Sequence, residues 1–267
     1  MNTTETSRLL HEAIDLGRER DYTRAVQKLL YLISADDSHD EAFLYLGRSF
    51  HALGEYSQAI DALRTFVHRR KDSAAGHFFL GRSYLAMDIY PHAAVHLRES
   101  LSIRPGFFQA AMLLGYTLIK LHKPDEACDL LGRLVEKNPT DEGLYSGYLN
   151  ALLISSIQHY RMGDFDYSQE AFEFLLEKGK EDILIHLYLG MIYRQNGEYQ
   201  AALDEYEAAF SESPKDEMIL YRTAILNIQT GNEKRGRDLL GLLARNYPDS
   251  PLLQSKEADH ALAFQYL

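Results

Sequence analysis

The chain has 267 residues, 46% of them hydrophobic, with a single cysteine and a formal net charge of −11. One cysteine leaves no disulfide framework within the chain and fits a reducing compartment. No apolar run approaches the roughly 18 residues of a membrane span, and an acidic chain suits nucleic acid poorly, because affinity there comes largely from neutralising phosphates.

The opening residues, MNTTETSRLLHEAIDLGRER, hold no basic stretch followed by an apolar run. No signal peptide is expected, and the expected location is cytoplasmic. Charge is uneven along the chain: residues 1–138 carry 17 Lys/Arg against 18 Asp/Glu, and residues 139–267 carry 11 against 21. The acidic half serves solubility or the docking of a basic partner.

Taken in chain order, the sequence repeats itself every 34 residues. Gly47, Gly81 and Gly115 share that spacing, each after a leucine (Leu46, Leu80, Leu114), and Gly163, Gly197 and Gly231 share it again. Pro105 and Pro139 keep the same step, as do Pro214 and Pro248, and Ala25, Ala59, Ala93 and Ala127 fall in the same frame. Within a unit the apolar residues follow helical spacing: Phe43, Leu46, Gly47 and Phe50 make one face, Gly54 marks a turn, and Tyr56, Ala59, Ile60, Leu63 and Phe66 make a second. Each unit is therefore two amphipathic helices. The glycine lets the paired helices approach closely, and the proline stops the second helix.

This frame resembles the tetratricopeptide repeat, W-x2-L-G-x2-Y followed by A-x3-F and P. The matching residues are Phe43-x2-Leu46-Gly47-x2-Phe50, His77-x2-Leu80-Gly81-x2-Tyr84 and His186-x2-Leu189-Gly190-x2-Tyr193, with Ala59-x3-Leu63, Ala93-x3-Leu97 and Ala202-x3-Tyr206 on the second helices. The resemblance implies an all-α fold, a right-handed α-solenoid of about seven 34-residue helix-turn-helix repeats plus a C-terminal capping helix. The units fall at 6–39, 40–73, 74–107, 108–141, 149–182, 183–216 and 217–250, with the cap at 251–267, in one solenoid domain spanning 1–267. Unit one has Glu12-Ala13 and unit seven Thr223-Ala224 in place of Leu-Gly, irregularity that suits end repeats.

Residues 142–148 (EGLYSGY) lie outside the frame. Seven residues are close to two helical turns and add roughly 10 Å to the first helix of unit five without rotating its face. The extension is either a stiffener or a protruding edge for a partner. Unit five, with Ser155 and Ser156 at the Leu-Gly positions, is expected to depart most from regular stacking.

No catalytic or metal constellation emerges. His92 and His96 in HAAVH share a helix face, but Ala93 stands where a zinc protease motif needs glutamate, and a third ligand is missing. His77 and His186 take an aromatic position of the repeat and read as packing residues. Cys128 reads as a small buried hydrophobe. The cations of HRRK, 68–71, suit a helix C-terminus, and no glycine-rich phosphate loop is present. No enzyme activity, cofactor or metal is expected.

The resemblance further implies that the first helices line a concave groove, through positions 2, 5, 6, 9, 12 and 13 of each unit. The candidate partner-binding residues are Tyr45, Arg48 and His51 in unit two, Phe78, Phe79 and Arg82 in unit three, Met112, Tyr116 and Ile119 in unit four, and Tyr188, Met191 and Arg194 in unit six. The groove is apolar and aromatic, as binding surfaces are, and Arg48 and Arg82 share the ninth position of adjacent units. Arginine offers a planar fork for carboxylates and stacks on aromatic rings. The Lys/Asn set with which some members hold chaperone C-termini is absent.

The function expected is a non-enzymatic adaptor that holds a peptide or helix of another protein, with apolar anchors and acidic residues. Alternatives are a self-assembling scaffold, in which the segment SKEADHALAFQYL caps its own last repeat or enters a neighbour's groove, and a secretion or export chaperone.

Overall fold

The computed structural model describes residues 3–254, and among them the chain is all helical. It divides into two compact units, Met1–Ala151 and Leu152–Leu267.

The first unit holds α1 (Thr3–Arg18), α2 (Tyr22–Ala35), α3 (Asp40–Ala52), α4 (Tyr56–Arg69), α5 (Ala74–Ala86), α6 (Tyr90–Ile103), α7 (Phe108–Lys120) and α8 (Pro124–Lys137). It also takes in the start of α9 (Glu142–Met162). Each helix from α1 to α7 packs on its successor, and α1 meets α3, α3 meets α5 and α5 meets α7. This is the arrangement of tandem antiparallel helix pairs whose first helices lie side by side. Two helix starts are capped by side chains: Asp21 accepts from the Arg24 amide at α2 and Ser73 from the Gly76 amide at α5, satisfying donors that the helix itself leaves free. The 142–148 segment is the opening of α9, a helix of 21 residues where α3, α5 and α7 have 13.

A small-residue contact holds each pair together. A Cβ at Gly47 would lie 2.4 Å from Leu63 Cγ and 3.1 Å from the Ala59 carbonyl; at Gly81 it would lie 2.8 Å from Leu97 Cγ. Leu63, Leu97, Ala59 and Ala93 are all fully buried there. The first pair uses Ala13 and Ala25 at the same two positions, both buried, so alanine on each side replaces the glycine–alanine pair.

The second unit holds the rest of α9 and α10 (Phe165–Glu177), α11 (Ile183–Gln195), α12 (Tyr199–Glu212), α13 (Glu217–Gln229) and α14 (Glu233–Asn246), then a 3-10 turn at Pro251–Gln254. Gly190 and Ala202 keep the glycine–alanine pair between α11 and α12, but the unit's other two helix pairs meet through different residues. Ser156 and Ser168 are completely buried; Ser168 Oγ donates to the Ser156 carbonyl at 3.0 Å, and Ser156 Oγ donates to the Leu152 carbonyl at 2.7 Å. Serine remains small enough for close approach while each hydroxyl finds a backbone acceptor, so burial carries no unpaired polar group. In α13 and α14 the pair is inverted: Ala224 lies on the first helix and Gly236 on the second, where a Cβ would sit 2.6 Å from the Ala224 carbonyl.

The turns between paired helices share one conformation. Arg20, Gly54, Asp88 and His122, and then Gly163, Gly197 and Gly231, all have φ between 57° and 89°, and within each set they lie 34 residues apart. Of the expected capping helix at 251–267, residues 251–254 form the 3-10 turn; the remainder lies outside the described residues.

Candidate functional site

The first helices of the N-terminal unit enclose a cavity of about 410 Å³ lined by Ala13, Ile14, Gly17 and Arg18 of α1, Tyr22 of α2, Tyr45, Arg48, Ser49, His51 and Ala52 of α3, and Phe79 and Arg82 of α5. The repeat builds this directly: Arg48 and Arg82 sit one unit apart on helices that touch, so their side chains leave the same face. The Arg48 guanidinium lies over two rings, 5.2 Å from the Tyr45 centroid and 4.7 Å from that of Phe79. Such contacts attract the cation to the rings without giving its N–H groups a hydrogen-bond acceptor. Among the described residues neither Arg48 nor Arg82 has a carboxylate or hydrogen-bond partner. Several other arginines do hold carboxylates: Arg69 pairs with Asp37 and Asp40, Arg98 with Glu126, and Arg235 with Glu207.

His51 completes the wall. Its Nδ1 lies 3.1 Å from Ser83 Oγ, and that hydroxyl donates to the Phe79 carbonyl. Ser83 Oγ is thus the acceptor, and His51 carries its proton on Nδ1. Burial, with the charge of Arg82 beside it, holds the imidazole down at about 4, so it is neutral at pH 7.

Five sequence-predicted residues meet here: Tyr45, Arg48, His51, Phe79 and Arg82. Phe78 does not line the groove. It is 8% exposed and packs into the core, 4.7 Å from the Phe107 ring, because the turn before α7 folds that ring against the same face of α5. Met112, Tyr116 and Ile119 lie outside the cavity. Met112 sits under the backbone of α9, where a Cβ at Gly147 would meet it at 2.6 Å. Tyr116 is half exposed beneath the Lys120 ammonium. Arg18 and Tyr22 were not anticipated. Arg18 occupies position 13 of the first unit, so extending the groove register to that unit would have found it.

The C-terminal unit has its own concavity, also about 410 Å³, lined by Tyr160, Met191, Arg194, Gln195, Tyr199, Tyr206, Arg222 and Gln229. The predicted Met191 and Arg194 line it, whereas Tyr188 stacks on Phe172 at 5.6 Å and meets Tyr160 edge-on at 4.9 Å. Arg222 donates a long hydrogen bond, 3.4 Å, to the hydroxyl of Tyr206 and lies 5.9 Å from its ring centre. Tyr206 is 1% exposed, and burial pushes its phenol above the ordinary range.

The histidines reading as packing residues carry polar partners. His77 is buried with Nε2 on the Lys71 carbonyl and Nδ1 3.1 Å from His96 Nδ1; His96 in turn stacks on Tyr84. His186 bonds Glu205 at 2.7 Å. Among the described residues no three His, Cys, Asp or Glu side chains are placed to hold a metal ion, and no helix is long and apolar enough to cross a membrane.

No curated protein sequence matches the chain significantly. Among solved structures, a tetratricopeptide repeat protein from Parabacteroides merdae ATCC 43184 aligns over 97% of this chain and 99% of its own, at 13% identity and TM-score 0.55. The structure of Naa15/Naa10 bound to HypK-THB aligns over 97% of this chain and 39% of its own, at 12% identity and TM-score 0.64. The MamA protein aligns over 64% of this chain and 94% of its own, at 19% identity and TM-score 0.53. At these identities the likeness is one of fold. A family model described as tetratricopeptide repeat matches residues 10–75, 52–106 and 157–217, and two more of that description match 193–259 and 109–141. With paired helices, small-residue contacts and a 34-residue turn spacing that agree with those matches, the chain belongs to the tetratricopeptide repeat family.

Proposed function

We propose that this protein is a non-enzymatic interaction scaffold that holds a segment of another protein, acidic residues beside apolar anchors, in the cavity of its N-terminal unit. The observation that carries the reading is the pair Arg48 and Arg82: two cations on adjacent repeats, Arg48 over the rings of Tyr45 and Phe79, with no carboxylate of their own among the described residues. An acidic side chain meets them with charge-assisted hydrogen bonds of roughly 1.5–3 kcal/mol each. Tyr45, Phe79 and Ile14 provide apolar area beside them. Membership of a family that serves protein–protein interaction supports the same reading, although a fold alone never names a ligand.

Panning a displayed random-peptide library on the wild-type chain and on an Arg48→Glu/Arg82→Glu variant tests it. Both arginines are exposed, so the variant is expected to melt like the wild type. The wild type should enrich peptides with Asp or Glu next to Leu, Ile or Phe, and the variant should lose them at least tenfold. Equal enrichment on both baits would contradict the assignment.

A further inference from the structure

Resting on the peptide-holding reading, we infer that the anchor taken by this cavity is a phosphorylated side chain of the bound segment, a dianion, rather than a single carboxylate. Three arginines line it, Arg18, Arg48 and Arg82, one from each of the successive first helices α1, α3 and α5. None of its twelve lining residues is Asp or Glu, in a chain whose net charge is −11. The cavity is a local positive field in a negative molecule.

A carboxylate brings one charge and two oxygens, enough for a single guanidinium fork. A phosphomonoester brings about −1.5 to −2 charges at pH 7 and three acceptor oxygens, which matches three forks. Arg48 is positioned by ring contacts that leave its N–H groups without an acceptor among the described residues, and Arg82 has no partner there at all. Arg18 pairs with Asp15 at 2.9 Å, one turn back on α1, but both side chains are mostly exposed at 77% and 63%. A pair so solvated is worth little and yields readily to a stronger anion. His51 is neutral at pH 7 and adds no charge, so the field rests on the arginines.

The aromatic walls argue for a peptide rather than a free ion. Tyr45 and Phe79 lie beside the cations, and a free phosphate leaves that apolar surface uncovered.

Three fluorescein-labelled decapeptide pools test this by anisotropy. They carry fixed Leu and Phe flanks and differ only in a central phosphoserine, glutamate or serine. Titrations run at about 150 mM salt, where bare surface charge is screened beyond about 8 Å. The phosphoserine pool should bind at least tenfold tighter than the glutamate pool. Arg18→Ala should erode that preference several-fold while leaving glutamate binding within about twofold, and Arg48→Glu/Arg82→Glu should abolish both.

Equal affinity for the phosphoserine and glutamate pools overturns the phosphate inference and leaves the peptide reading standing. No binding by any pool overturns both. Inorganic phosphate binding as tightly as the phosphoserine pool makes this a free-anion site and overturns the inference. Capture of vesicles rich in anionic lipid with no binding of the pools overturns it in favour of a membrane surface.

Discussion

The two compact units each hold a concavity of about 410 Å³ that bears arginines, but among the described residues Arg48 and Arg82 of the first have no hydrogen-bond or carboxylate partner, whereas Arg222 of the second bonds Tyr206. The difference starts from one residue. Where Leu63 and Leu97 cover Gly47 and Gly81 in the N-terminal unit, Tyr206 covers Gly190 in the C-terminal unit, its ring 2.9 Å from where a Cβ would lie. Leucine asks nothing more of its surroundings. A buried tyrosine brings a hydroxyl that must be paired, and Arg222 supplies the partner. Arg222 thus serves the core tyrosine, whereas Arg48 and Arg82 have no such task.

The turns separate the same two regions. At the left-handed position between paired helices the C-terminal unit has Gly163, Gly197 and Gly231, while the N-terminal unit has Arg20, Asp88 and His122 beside its one glycine, Gly54. A side chain there costs about 1–2 kcal/mol, so the N-terminal unit carries three strained turns that the other avoids.

The largest effect tests the contrast between the arginines. Reversing both N-terminal charges, Arg48→Glu/Arg82→Glu, should weaken binding of the phosphoserine pool by about a hundredfold or more, given two lost charge-assisted contacts. The melting temperature should move by no more than about 2 °C. Arg194→Ala should leave binding unchanged. Anisotropy and thermal melts read both.

Acid sharpens the contrast next. His51 and His96, both in the N-terminal unit, are held down at about 4, by burial first and by neighbouring Arg82 for one and His77 for the other. Unfolding returns each to roughly 6.5, so the unfolded chain takes up the protons first as pH falls. Their contribution is complete above about pH 6.5 and is lost progressively down to about pH 4. Both imidazoles are only partly buried, so the loss is on the order of 1 kcal/mol each. Urea midpoints between about pH 7 and pH 5 should fall in the wild type and flatten in a His51→Gln/His96→Gln variant.

Tyr206→Phe probes the C-terminal side. It removes the hydroxyl that Arg222 serves and should cost about 1 kcal/mol in urea unfolding without changing peptide binding. The smallest effect is at a turn: His122→Gly relieves the left-handed strain against the added flexibility of glycine, and should raise stability by about 0.5 kcal/mol. A loss instead would mean that the imidazole makes a contact outweighing the backbone cost.

Much of the fold was legible because the repeat writes its packing rule in small residues. Gly47 with Ala59 announces the close pair, and the substitutes Ser156 with Ser168 and Ala224 with Gly236 obey the same size limit. The left-handed turn was legible at the glycines and silent at Arg20, Asp88 and His122, since the frame imposes a conformation that those residue types do not signal.

The candidate site was legible in part. The ninth position pointed to Arg48 and Arg82, but register says only which face a residue occupies, not what else covers that face. Phe78 was lost to the core by the Phe107 ring, and Met112 to the approach of α9 at Gly147. The engagement of Arg222 by Tyr206 joins two helices, α12 and α13, whose side-chain meeting no local pattern encodes.

The most direct test of the central claim is an NMR titration that follows the arginine Nε–Hε resonances, assigned by single Arg→Lys variants, as the phosphoserine pool is added to the full chain. Arg48 and Arg82 should shift together and saturate at the affinity read by anisotropy, while Arg194 and Arg222 stay in place. Movement of Arg222 or Arg194 with Arg48 and Arg82 unmoved would contradict the account, and would place the ligand in the C-terminal concavity.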